Sequence, residues 1–214
     1  MRITKFGHAC VRLEAGGRTL VIDPGVWTSP EAVDGADAVL VTHEHPDHYD
    51  PERLRRVVDV PVHTIEAVIE QMRDGAPDLA ERASVVSPGG ERHVAGFTVK
   101  AVGDLHAVIH PELPRFHNSG YVVEAEGVRL FHPGDALTAP GEPVDVLCVP
   151  VSAPWLKVSE AIDFAREVGA PRNLAIHDKV YSAEGLGIVD GHLQRFLEPA
   201  GHEYARLGEG VDFG

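Results

Sequence analysis

The chain has 214 residues, 43% of them hydrophobic, and a formal net charge of −14 at pH 7, a composition that gives a globular protein an ample core. That charge repels phosphate backbones, which argues against a nucleic-acid partner. No apolar run reaches the roughly 20 residues of a membrane span and no signal-like segment opens the chain, so no membrane partner, a cytoplasmic location and a single domain over residues 1–214 are expected.

Alternating and apolar patterns predict three opening strands, at residues 2–6, 10–14 and 18–23, the last two joined by a turn at Gly16-Gly17. Cys10, and Cys148 in a later apolar run, read as buried small hydrophobes of a reducing compartment rather than as a disulfide. His8 falls on the loop between the first two strands and is a candidate for lining a site, a packed or solvated histidine being the alternative. Asp23 before Pro24 reads as a turn aspartate.

An apolar strand at 37–41 leads into Thr42-His43-Glu44-His45-Pro46-Asp47-His48-Tyr49-Asp50. Three imidazoles and a carboxylate packed this closely suit a borderline divalent metal. In an extended segment residues two apart face the same way, so His43 and His45 can grip one ion, while Asp47 and His48, past the bend at Pro46, turn toward a second. A histidine-rich solvated loop is the competing reading, and the strand-then-loop setting argues against it.

Next come a predicted helix over 51–58 with proline in its first turn, a strand over 60–63 with a structural His63, and a helix capped by Thr64 that runs to Arg73 and closes near Gly75. Strands follow at 84–87, 91–94 and 97–102. Residues 103–120 then form a loop long enough to imply service to a site; its candidates are His106, His110, Arg115 and His117. A hairpin over 120–125 and 128–131 delivers His132-Pro133-Gly134-Asp135. A continuous apolar strand over 144–151, of the kind buried on both faces, leads to Trp155 and Lys157. The first offers a flat apolar surface and the second a cation for an anionic group, against the plainer readings of a packing tryptophan and a solvated lysine. A helix over 158–168, a strand over 173–176 that ends at His177, and a helix over 184–197 complete the sequence, with His192 and His202 on the surface.

His43-x-His45-x-Asp47-His48 behind an apolar strand, followed in order by His106, Asp135 and His177, resembles the metallo-β-lactamase superfamily over nearly the whole chain. Within it the chain is similar to small bacterial hydrolases related to ascorbate-6-phosphate lactonase. The resemblance implies an α/β fold, a four-layer αββα sandwich of the metallo-β-lactamase type, which a β-rich opening followed by a β-α-β-α rhythm also fits. It implies two divalent ions, the first held by His43, His45 and His106, the second by Asp47, His48 and His177, with Asp135 bridging them. It selects His106 over His110 because the family's ligand directly follows a strand. Asp23 becomes a support of the metal loop, and Asp47 the catalytic carboxylate.

Zinc is the expected metal, although the same donors accept Mn2+, Fe2+ or Ni2+. The implied chemistry is hydrolysis of a small anionic lactone, ester or phosphodiester by a water activated between the ions. His8, His110, Trp155 and Lys157 are the candidate substrate contacts. Two further readings stand beside this one. A redox di-iron relative usually has a carboxylate where this chain has His45, and a metal-binding or sensing protein without turnover would not need a full ligand set.

Overall fold

Antiparallel pairing in sequence order joins β1 (Arg2–Lys5), β2 (Val11–Ala15) and β3 (Arg18–Ile22) in a computed structural model that describes residues 1–214. β4 (Ala38–Leu40), β5 (Val62–Thr64) and β6 (Ala83–Val85) then add in parallel. Each parallel step needs a crossover. These are a 3-10 turn at Pro30–Val33, helix α1 (Pro51–Arg55), and the pair α2 (Glu66–Gly75) and α3 (Pro77–Ala80).

The second sheet repeats the plan. β7 (Glu91–Val94), β8 (Phe97–Val102), β9 (Gly120–Ala125) and β10 (Val128–His132) form an antiparallel meander. β11 (Val146–Pro150), β12 (Arg172–Ile176) and β13 (Glu203–Ala205) follow in parallel, linked by α4 (Val158–Val168) and α5 (Ala183–Leu197). Finally β14 (Val211–Asp212) returns to the edge of the first sheet beside β1.

Three apolar interfaces separate four layers. Leu13, Leu20, Ile22 and Leu40 of the first sheet interlock with Phe97, Val99, Val123 and Leu130 of the second. The outer face of the first sheet packs Val21, Val39 and Val41 against Leu54, Val68 and Met72 of its helices. The outer face of the second packs Phe131, Leu147 and Val149 against Ile162, Phe164 and Leu193. This is the αββα sandwich expected from the sequence. β11 is buried at every residue because both of its faces are covered, and Cys10 and Cys148 are buried and free. No helix is long and apolar enough to cross a membrane.

Departures from the predicted elements have local causes. Helix α1 stops at Arg55 rather than residue 58, because the Arg82 guanidinium takes the carbonyls of Leu54, Val57 and Val60. Thr64 does not cap α2: Ile65 holds that position without a side-chain bond, while the Thr64 hydroxyl donates to Val41 O at 2.8 Å. Tyr121 Oη also donates to Val41 O, at 3.0 Å from the other sheet. The carbonyl just before the histidine-rich loop is thereby held from two sides.

Candidate metal centre

Loops that follow strand ends meet at one rim of the sandwich: His8 after β1, Asp23 after β3, His43 to His48 after β4, His106 after β8, Asp135 after β10 and His177 after β12. Two clusters result, His43, His45, His106 and Asp135 in one and His8, Asp47, His48 and His177 in the other, each with its donor atoms within 4.8 Å of one another. Asp135 lies between them. Its Oδ2 is 3.3 Å from His106 Nε2 and 3.2 Å from His177 Nε2, and its Oδ1 is 3.0 Å from His48 Nε2. His106 joins the cluster while His110 stays on the exposed loop, its Nδ1 accepting from Glu112 N–H.

Hydrogen bonds behind the rings fix which nitrogen faces inward. Nδ1 of His106 meets Ala107 O at 2.6 Å, and Nδ1 of His177 meets Ser152 O; carbonyls only accept, so each Nδ1 carries the hydrogen. His48 Nδ1 likewise donates to Asp23 Oδ2 at 2.7 Å. The Thr42 hydroxyl spends its hydrogen on Asp23 Oδ2 and so accepts from His43 Nδ1 at 2.9 Å. In the neutral ring each of the four then turns Nε2 to the centre as its acceptor nitrogen, the form in which imidazole ligates a metal. His45 turns Nδ1 inward, 3.1 Å from His43 Nε2.

His8 has the opposite tautomer. The backbone N–H of Lys179 donates to its Nδ1 at 3.3 Å, so Nε2 carries the hydrogen and donates to Asp47 Oδ2 at 3.0 Å. Burial pushes His8 down to about 4, which keeps the ring neutral at pH 7. Burial pushes the Asp47 carboxyl up, but His177 and His8, with ring nitrogens 3.4 and 3.0 Å from Oδ2, hold it far below the usual carboxylate range.

Backbone strain accompanies this packing. His8, Asp23 and His177 have φ of 42°, 51° and 56°, a region that costs a non-glycine residue on the order of 1–2 kcal/mol. Gly25 is required for a different reason: a Cβ there would fall 2.0 Å from the Asp47 carbonyl. Gly25→Ala is accordingly expected to displace the metal loop and destabilise by about 1–3 kcal/mol, read as a lowered Tm; an unchanged melt would show that the loop has slack.

The remaining candidates divide. Trp155 is only 8% exposed, and its Nε1 donates to Asp135 Oδ2 at 3.2 Å, so it positions the shared carboxylate as well as forming a wall. Lys157 does not reach the site. It occupies the N-cap of α4, with a side chain 79% exposed and Nζ on Glu160 at 3.2 Å; the helix that follows at once points it to solvent. Arg115 is the cation beside the centre, its Nε donating to His106 O at 2.7 Å.

Support residues that lack a motif were missed. Thr42 and Ser152 are ordinary polar residues in sequence, and Asn118, which accepts Asp135 N–H and donates to Pro133 O, gave no signal. Behind the rim lies a buried pair, Lys5 Nζ with Asp178 Oδ1 and Oδ2, both at 3.1 Å. Over it the C-terminal segment forms a strap: Glu209 binds Lys179 Nζ and the Ser29 hydroxyl, and Gly210 N–H donates to Lys5 O.

Two helix-flanked sheets with imidazoles and carboxylates gathered on one rim define a protein of the metallo-β-lactamase fold. Residues 2–177 match the model of the beta-lactamase superfamily domain, and the chain belongs to that family. It is 43% identical over 197 residues to the protein Rv0786c of Mycobacterium tuberculosis, which covers 90% of this chain and 91% of that one. It is 32% identical over 197 residues to a UPF0173 metal-dependent hydrolase of Methanoculleus marisnigri, covering 86% of this chain and 83% of the relative. Among solved structures, the metallo-beta-lactamase fold protein YhfI of Bacillus subtilis superposes with a TM-score of 0.75 at 16% identity, over 99% of this chain and 98% of that one.

Proposed function

We propose that the chain is a metal-dependent hydrolase that works with two divalent ions on a small substrate. His43, His45 and His106 hold the first ion, Asp47, His48 and His177 the second, and Asp135 both. Zinc is the first expectation, with Mn2+, Fe2+ or Ni2+ as substitutes that availability would decide. One observation carries this reading: Nε2 of His48, His106 and His177 and Oδ1 of Asp135 are buried without a hydrogen-bond partner. Although 3.0–3.3 Å separate these nitrogens from Asp135 oxygens, the contacts are not aligned hydrogen bonds. Unpartnered buried lone pairs are costly, and a shared cation is what satisfies several at once.

When bound, such ions polarise a scissile carbonyl or phosphoryl oxygen and make water a nucleophile near neutral pH. The chain's own groups prepare that chemistry. The Nδ1 hydrogen bonds of His43, His48, His106 and His177 orient the ligating rings, and Trp155 and the Asp135 amide hold the central carboxylate. With no side chain needed as nucleophile, hydrolysis proceeds without a covalent enzyme intermediate, on a lactone, ester or phosphodiester. The net charge of −14 disfavours nucleic acid as the substrate.

The test is to purify the protein with its native metal, measure the ions per chain, and assay lactones, carboxylic esters, thioesters and phosphodiesters. Close to two ions and turnover of one class support the proposal; fewer than one ion with no turnover ends it.

His8 is proposed as a positioning residue rather than a ligand, since its inward nitrogen already donates to Asp47. His8→Leu is expected to lower kcat/KM by roughly 10- to 100-fold, and His8→Gln, whose amide can still donate, to recover most of it. In cobalt-loaded protein the visible absorption should shift for the leucine variant and return for the glutamine variant. Equal losses in both would make His8 a ligand or a mere packing group.

A further inference from the structure

Resting on the hydrolase reading, we propose that the loop from His106 to Phe116 is a specificity pocket for the acyl chain of an anionic amphiphile, with Arg115 binding its carboxylate or phosphate. The loop does not fill its own interior. It encloses a cavity of about 280 Å³ that begins at His106, and it leaves Val108, Ile109, Leu113 and Phe116 between 36% and 54% exposed. Four large apolar side chains left open on one loop beside a reaction centre mark a ligand surface. The Phe116 ring stands edge-on to His45 at 4.5 Å between centroids, so the cavity runs up to the proposed ligands. Its volume falls just below the usual range of ligand pockets, roughly 300–1,000 Å³, and suits a short acyl chain rather than a long lipid tail.

Charge makes the occupant more specific. No carboxylate lines this cavity, and Arg115 is its sole charged side chain. Arg115 also lines the neighbouring hollow that Trp155 bounds, where Glu160 is engaged by Lys157. Its Nε is pinned on His106 O, and its terminal nitrogens form no hydrogen bond or ion pair. A held guanidinium with two free donors is a fork for a carboxylate or phosphate, here placed between an apolar cavity and the metal cluster.

The test is titration calorimetry of the purified, metal-bearing protein with octanoate, acetate and octanol. Octanoate is expected to bind at least about tenfold tighter than acetate, since six methylenes leave water. Ile109→Asn with Leu113→Asn, neutral polar changes at exposed positions checked by thermal melt, should bring octanoate down toward acetate. Arg115→Met should weaken both acids about tenfold, Arg115→Lys less so, with octanol unaffected. Equal affinity for octanoate and acetate, or a length preference that survives the double variant, overturns the pocket; acid binding unaltered in Arg115→Met overturns the anion site. Metal content and ester turnover of the same sample separate the two proposals. Chain-length preference without metal or turnover overturns the hydrolase reading and supports the pocket, whereas metal and turnover without length preference do the reverse.

Discussion

Asp135→Asn is expected to lose both ions and to cut kcat/KM by roughly a thousandfold or more. The substitution keeps the shape of the side chain and removes only its charge. Two dications at bridging distance repel one another strongly unless an anion lies between them, and Asp135 is the carboxylate whose oxygens meet His48 and His177 of one cluster and His106 of the other. An amide NH2 in its place would also turn hydrogens toward Nε2 lone pairs or toward the Trp155 N–H, which now donates to Oδ2. The measurement pairs metal analysis with steady-state kinetics, and circular dichroism establishes that the variant folds. Two retained ions with wild-type turnover would remove the bridging role and the dinuclear proposal with it.

The largest effect on stability is expected at Lys5. Its side chain is completely buried, and its partner Asp178 is only 10% exposed. Burial pulls the Lys5 ammonium below its ordinary value and the Asp178 carboxylate pulls it back up. Lys5→Met removes the cation and leaves a nearly buried carboxylate alone, which costs about 3–5 kcal/mol. Replacing both, Lys5→Met with Asp178→Leu, is expected to recover much of that loss, because a well-packed apolar pair often does as well as a buried ion pair. Denaturant unfolding would measure both. A single variant within 1 kcal/mol of wild type would mean that Asp178 finds water or another donor, at odds with the depth of the pair.

How much of this was legible in the chain follows from how far apart the cooperating residues lie. His43, His45, Asp47 and His48 are consecutive donors on one loop, so their joint purpose is visible without a fold. His106, Asp135 and His177 stand alone in sequence; likeness to a superfamily pattern, not spacing, picked them out, and the folded rim brings all seven together. Trp155 was read as a wall and turns out also to hold Asp135. Lys157 was read as a substrate cation or a solvated lysine, and the second holds: one residue before a helix, its side chain leaves along the surface to Glu160. Arg115 was among the loop's candidates, but nothing local said that its Nε would anchor on His106 O. The tautomers of the inward-facing rings depend on Thr42, Asp23, Ala107 and Ser152, which are distant or ordinary in sequence. Strong periodicity served α4, whose predicted residues 158–168 are those observed. Short pieces such as α3, β13 and β14 fall below the length at which a period registers, and the Thr64 cap failed because tertiary structure claimed its hydroxyl.

The strap formed by the last residues has a practical consequence for anyone handling this protein. Glu209 steadies Lys179, whose amide fixes the ring of His8, and the backbone at Gly210 is tied to Lys5, so the tail and the reaction centre form one mechanical unit. A proteolytic nick near residue 208 is expected to loosen the ring of His8 before the sandwich itself comes apart.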